Sequence, residues 1–368
     1  GAGGGNDPVS GNDVKVAYAW ETQPRPNTGW TEKLRFTFDP GTHYPYGRGV
    51  IDGAIHRLVR KLNEFDLVWF FKQRSADMFP NRAWQRSVLD VDDLQSTYDR
   101  TAFRIGSFVD RIKSLRGLYI WRRREALLGK RFSVLTVCSE EDREYLKNLG
   151  VRDRVHVIPN GCEKPSGEPR RNPVTPPRIG FIGGFDHLPN REGISWFVKK
   201  CWPAIKREVP QARLRLIGRD PGTLRDLRGQ DVDPLDWLPD PSAEIQSWFA
   251  MIVPIRFGAG TRVKIAQAFS QKCPIVSTSL GTFGYGAMDG REMYVADSAQ
   301  EFSRACVRAI CEPEEANRMA QRAWIEFLNK WAWEAIRPRI WAAAEDCLRL
   351  SGRQWQRSDG MASVNALP

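Results

Sequence analysis

The pattern of apolar and polar positions changes character along the chain. Residues 1–50 are rich in Gly, Pro and Asn; a strand is expected over Val14–Trp20, and the rest reads as loop. From Ile51 the pattern sharpens. Apolar residues at 51, 54, 55, 58 and 62 keep the spacing of a helix over Ile51–Asn63. Asp66–Phe71 is almost continuously apolar, as in a parallel strand buried on both faces. Ser87–Asp92 is a short strand that ends in acids, residues 97–130 read as one or two basic helices, and Phe132–Val137 is another strand. Ser139, with Asp142 three residues on, opens a helix. Val155–Ile158 is a strand closed by Pro159-Asn-Gly161.

A Pro-rich linker, Glu163–Pro177, then interrupts the periodicity and marks a domain boundary. The second half restarts with strand Arg178–Ile182, a Gly-Gly turn and a helix near Gly193–Lys206. Strands Leu214–Ile217, Ile252–Ile255, Pro274–Ser277 and Met293–Ala296 follow, with helices over Val263–Phe269 and Ala299–Ile310. Strand alternating with helix in both halves predicts an α/β protein with two parallel sheets and right-handed crossovers. The divisions expected are 1–165, 166–330, a helix over 331–350 and a tail over 351–368.

Composition narrows the class. A chain of 368 residues favours two domains, and 41% hydrophobic with 27% charged residues is the balance of a soluble globular protein. No apolar run approaches the ~18 residues of a membrane span. Gly1–Asp7 has neither the basic nor the apolar region of a secretory signal. Seven Cys at scattered spacing, with no C-x-x-C, argue for reduced core thiols in the cytoplasm rather than zinc ligands. The four His form no metal set; His156 reads as a strand residue.

The net charge of +11 is uneven. Residues 100–131 hold ten Lys/Arg against two acids, Asp110 and Glu125. Phe103, Phe108, Tyr119 and Trp121 are interleaved with these cations. That mixture fits an anionic membrane surface as partner, peripheral on the inner face, and equally a solvated helix face. Nucleic acid would fit the charge, but no module for it is present.

Candidate chemistry concentrates where strands run into glycine. Pro254-Ile-Arg-Phe-Gly-Ala-Gly-Thr-Arg-Val-Lys264 passes from strand to Gly258-Ala-Gly260 and then to a helix. Glycine lets backbone approach a ligand, and a helix start offers free N–H groups and partial positive charge. Thr261 is placed to cap that helix, and Arg256, Arg262 and Lys264 add full charges. The set suits a diphosphate held without a metal, although alone it reads as readily as an ordinary βα loop. Gly183-Gly184, followed by His187 and Asn190, forms a second loop, and Gly281–Gly286 a third that is either a cover or a free surface loop. Asp92 and Asp93 end a strand in the first half; they fit an acceptor-orienting or basic role, or plain helix capping.

Together these loops resemble the group 1 glycosyltransferases, the large retaining family 4. The pattern P-x-R-x-G-x-G-T-R-x-K-x-x-E-A is met by Pro254–Lys264 and Gln267-Ala268. Pro189-Asn190, Leu216-Ile-Gly218, Pro274-Ile-Val-Ser-Thr278, Ile158-Pro-Asn-Gly161 and Trp333-Glu334 also match, over about residues 65–345. The resemblance implies the GT-B fold, in which two Rossmann-like domains face across a cleft and the helix Trp333–Leu350 crosses back to the first. It implies transfer with retention from a UDP-, GDP- or dTDP-sugar, with no further cofactor, to a polysaccharide, glycolipid or other glycan. No protein nucleophile is implied; Arg262 and Lys264 would hold the charge of the leaving diphosphate. Gly183, Gly184, His187, Asn190, Arg256, Gly258, Gly260, Thr261 and Gln267 would bind the donor, and Trp237 lies near its base by position.

Two departures stand out. Paired family glutamates fall here on Ala259 and Gln267; Gln267 can still hydrogen-bond a ribose, but without charge. The N-terminal residues also lack the expected opening strand with its acceptor loop. The alternative is therefore a non-catalytic nucleotide-sugar binder or assembly partner. A GT-B epimerase would show paired acids and His at the site, which the sequence does not supply.

Overall fold

Runs of Val, Ile, Leu and Phe that are apolar on both sides of a strand must be covered on both faces, and helices do this here twice. The computed structural model describes residues 23–24, 30–40, 48–49, 60–62, 64–77, 83–219, 229 and 231–350. The strand expected over Val14–Trp20, nearly all of the helix over 51–63, and the tail 351–368 lie outside them.

A short antiparallel pair joins β1 (Gln23–Pro24) and β2 (Arg48–Gly49). The first sheet is parallel, in the order β3-β4-β5-β6: Val68–Phe71, Trp84–Asp90, Phe132–Val137 and Val155–Val157. Leu89 sits opposite Phe70 and Leu135 in register, and all three are buried.

The second sheet uses β7 (Arg178–Ile182), β8 (Arg213–Ile217), β9 (Val232–Leu235), β10 (Ala250–Val253), β11 (Ile275–Ser277) and β12 (Tyr294–Val295). Its parallel order is β12-β11-β10-β7-β8-β9. The chain leaves β7 outward through β8 and β9, then returns to the other side of β7 as β10. That reversal opens a crevice at the carboxyl ends of β7 and β10, where open α/β sheets bind ligands. Phe181, Phe197 and Phe302 fill one face of this sheet and Trp248, Phe269 and Phe327 the other.

The helix Trp333–Leu350 leaves the second domain and completes the core of the first. Ala343 and Cys347 are fully buried beside Val88 of β4 and Val134 of β5, and Asp346 meets His156 of β6 at 3.1 Å.

Two elements differ from the sequence reading, and a third settles a choice it left open. Trp30–Phe38 is a helix, not loop. Its own composition is weakly helical; Phe36 holds it down, buried edge-on against Trp121. The basic stretch resolves into two helices, Gln95–Ile105 and Phe108–Glu125, separated at Gly106-Ser107, with Ser107 capping the second. The Gly193–Lys206 helix begins earlier, at Leu188, and runs to Glu208 through one π turn over Phe197–Cys201. β9 carries no clear periodic signal, whereas the helix Pro313–Lys330, absent from the sequence reading, does: Ala316, Met319, Ala320, Ala323, Trp324 and Phe327 are buried at helical spacing. Of the seven free cysteines, five are buried, Cys162 is half-buried and Cys311 is exposed, which corrects the expectation that all are core thiols.

The packing of the last helix is testable. Ala343→Leu forces extra volume against Val88 and Val134 and should cost about 1–3 kcal/mol. Chemical denaturation should therefore show a lower midpoint with a similar slope; an unchanged midpoint would place that helix elsewhere.

Candidate functional site

The reversal between β7 and β10 brings the predicted glycine loops together. β7 ends at Ile182 and turns through Gly183-Gly184 into the helix that starts at Leu188. β10 ends at Val253 and passes through Gly258–Gly260 to the helix Val263–Ser270. Lys264, from the second helix, points its Nζ at the first loop. It donates to Asn190 Oδ1 at 2.9 Å and lies over the Phe181 ring at 3.8 Å from its centre. Asn190 in turn donates to the carbonyl of Gly184 at 2.8 Å. A Cβ on Gly183 would stand 2.9 Å from that ammonium and 2.8 Å from Asn190 Nδ2, so a larger residue there would displace both side chains.

Arg262 lies one turn away. Its Nη1 donates to the carbonyls of Ala259 and Gly260, while Nε and Nη2 have no partner. Among the described residues, neither Arg262 nor Lys264 has a carboxylate within ion-pair distance. Burial, and then the Arg262 charge, push the Lys264 ammonium well below its ordinary value; burial also lowers Arg262. Lys264 has no acid acting on it, and Arg262 feels the Asp93 charge without pairing with it, so the two cations together still favour a further anion.

His187 stands at the same opening. Burial, Arg262 and Lys264 in that order depress its imidazole, so it is neutral at pH 7. Arg256 is set apart: it pairs with Glu192 at 3.1 Å and stacks on Trp196. Gln267 lies one turn farther along the helix and is half-buried. Trp237, just past β9, is 60% exposed, two strands over from Gly183.

Thr261 does not cap the helix, contrary to the sequence reading. The cap position is Arg262, without a side-chain bond, and Thr261 instead accepts from Asn160 at 3.1 Å. The third loop packs beside it. Tyr285 occupies the helix start: its hydroxyl donates to the Arg262 carbonyl at 2.9 Å and accepts from the Ala266 N–H. Gly284 packs on Thr261 and Ser139, so the loop is pinned rather than free.

The first domain supplies the opposite wall. Gly258 is held by Thr101, whose hydroxyl accepts from its N–H at 2.9 Å and shares its one proton between the Gly258 carbonyl at 3.0 Å and the Tyr98 carbonyl at 2.9 Å. Tyr98 meets Phe257 edge-on beside it. Beyond β4, Asp92 takes a left-handed backbone (φ 57°) and pairs with Lys72 at 3.0 Å. Asp93 reaches the other domain. Gly260, at φ 72°, leaves room for it: a Cβ there would stand 1.5 Å from Asp93 Oδ1. Asp93 is open to the cleft yet walled in by protein, and burial followed by the Asp92 charge raises its carboxyl to about 6. The cleft between the walls has a volume of about 430 Å³ and is lined by Lys72, Arg74, Asp93, Tyr98, His187 and Ala259 among others.

The residues missed by sequence reasoning are Lys72, Thr101 and Tyr285. Tyr285 sat inside a loop already noted; Lys72 and Thr101 gave no local signal, because their partners are distant in sequence.

Residues 176–312 match the family model described as Glycosyl transferases group 1. An uncharacterised 44.6 kDa protein in the cps region of Klebsiella pneumoniae is 26% identical over 134 residues, which is 34% of each chain. The chain thus matches only about a third of the length of that curated relative. Sucrose-phosphate synthase from Thermosynechococcus elongatus superposes with a TM-score of 0.60 at 14% identity, covering 86% of this chain and 92% of that one. HepE of Anabaena, in complex with UDP-glucose, superposes with a TM-score of 0.58 at 15% identity, covering 81% and 82%. The chain has the GT-B fold.

The cation pair makes a measurable claim about His187. NMR titration of its ring should give a pKa below that of an ordinary imidazole, rising when UDP is added and its charge offsets Arg262 and Lys264. A pKa indifferent to UDP would mean that no anion sits between these groups.

Proposed function

We propose that this chain is a group 1 glycosyltransferase. It moves a sugar from a UDP-, GDP- or dTDP-sugar to a polysaccharide, glycolipid or other glycan acceptor, with retention at the anomeric carbon. One observation carries the reading: Arg262 and Lys264 lie walled in, neither held in an ion pair, at the switch point of the second sheet. The family match over residues 176–312 and the likeness to HepE with UDP-glucose support it.

In this mechanism the bond between the anomeric carbon and the diphosphate oxygen breaks as charge develops on that oxygen. Arg262 and Lys264 stabilise the charge, so no metal is needed for it. The acceptor hydroxyl attacks from the same face and passes its proton to the departing diphosphate. Gly183 and Gly184 let the phosphates approach the backbone, Gly258 and Gly260, held by Thr101 and Asp93, shape the facing wall, and His187, neutral, donates one hydrogen bond. Asp93 orients the acceptor hydroxyl from the opposite wall, while Asp92, tied to Lys72, fixes the turn that presents it.

Ala259, on the cleft wall where the family often has glutamate, favours a second reading, a nucleotide-sugar binder without transfer. Incubation with a panel of donors and glycan acceptors separates the two. Transfer predicts release of nucleoside diphosphate that survives chelator, an α-donor giving an α-product by NMR, and a loss of about 10²–10³-fold for Lys264→Ala or Arg262→Ala. Tight UDP binding without release would favour the binder.

Acid should also inhibit. The Asp93 carboxylate is present above its raised value of about 6 and is lost as pH falls through it. Turnover should drop on that limb, and Asp93→Asn should abolish the limb along with most activity; an unchanged limb would assign it to another group.

A further inference from the structure

The helix Phe108–Glu125 turns a row of apolar side chains to solvent. Its buried positions include Ser114, Arg124 and Glu125 beside Ile120 and Trp121. Its exposed positions include Phe108, Ile112, Leu115 and Tyr119, and Phe108 is 79% exposed. The spacing i, i+4, i+7, i+11 places those four on one face, away from Ser114 and Trp121.

The neighbouring helix Trp30–Phe38 repeats the arrangement. Trp30, Leu34 and Phe38 recur every four residues and are exposed, Trp30 by 73%. Phe36, on the other side, lies against Trp121 and under the Arg124 guanidinium, 3.9 Å from its ring centre. Arg116 donates to the Lys33 carbonyl at 3.3 Å, and Arg123 to the Phe38 carbonyl at 2.8 Å. The two apolar rows therefore lie on helices latched to one another.

Exposed Arg104, Arg111, Lys113 and Arg122 border these rows, and Asp110 is the one acid on the exposed surface of the longer helix. Single exposed apolar residues are ordinary on a protein surface; contiguous rows on two joined helices, edged by cations, are not. We propose that this two-helix face docks on an anionic lipid bilayer, apolar rows in the acyl boundary and cations at the headgroups. Charge argues against a second copy as occupant, because two such cationic faces repel.

Docking has a consequence for the cleft. Trp121, at the far end of the same helix, lines it. Phe108 and Trp121 are thirteen residues apart, so the cleft wall lies about 20 Å along the helix from the apolar tip. The proposal stands on exposure and charge alone and does not depend on sugar transfer.

Sedimentation of the full chain with vesicles tests it. The chain should pellet with vesicles of phosphatidylcholine and phosphatidylglycerol, not with phosphatidylcholine alone, and less so as salt rises. The pairs Ile112→Glu with Leu115→Glu, and Leu34→Glu with Phe38→Glu, should each lower partitioning at least about tenfold with unchanged thermal unfolding, since all four side chains are exposed. Equal binding to neutral vesicles, no binding, or wild-type binding by either double variant would overturn the proposal. So would a lipid-free dimer, seen by analytical ultracentrifugation, that the Ile112/Leu115 variant breaks.

Discussion

Two positive charges held side by side with no ion-pair partner are the constraint on which the site turns. Burying a cation is costly unless something offsets it. Lys264 is offset in part by the Asn190 carbonyl oxygen and the face of Phe181, and Arg262 by two backbone carbonyls. None of these carries a formal negative charge. The surplus is aimed at the crevice between β7 and β10, where the backbone of two glycine loops also points.

Much of the surrounding structure serves to hold that pair still. Asn190 ties Lys264 to the first loop, and Tyr285 ties the Arg262 backbone to the third. The first domain adds constraints of its own. Thr101 grips Gly258 through both backbone groups, Asn160 of the inter-domain segment reaches Thr261, and Asp93 presses on Gly260. The glycine loop is thus shaped from both sides of the cleft. The last helix, seated under β4 and β5, keeps the two sides in register.

Local signals were legible in the sequence; partnerships across the chain were not. Strands Phe132–Val137 and Arg178–Ile182 and the helix at Val263 stand where the apolar pattern put them. The glycine loops were visible for the same reason, although each alone read as readily as an ordinary turn; only their combination pointed to a ligand. Thr261 was misread because the rule for helix caps sees only neighbours, and the group that engages its hydroxyl, Asn160, lies 101 residues back. The helix Trp30–Phe38 was missed because tertiary burial of Phe36, not local propensity, sustains it. Arg256 carried charge in the right motif, but Glu192 pairs with it.

The most direct measurement compares UDP with uridine by isothermal titration calorimetry on the wild-type chain and on Lys264→Ala. If the cation pair grips a diphosphate, UDP binds far more tightly than uridine, the advantage shrinks as salt rises, and Lys264→Ala removes most of it. Equal affinity for UDP and uridine, or a UDP affinity untouched by the substitution, would contradict the account.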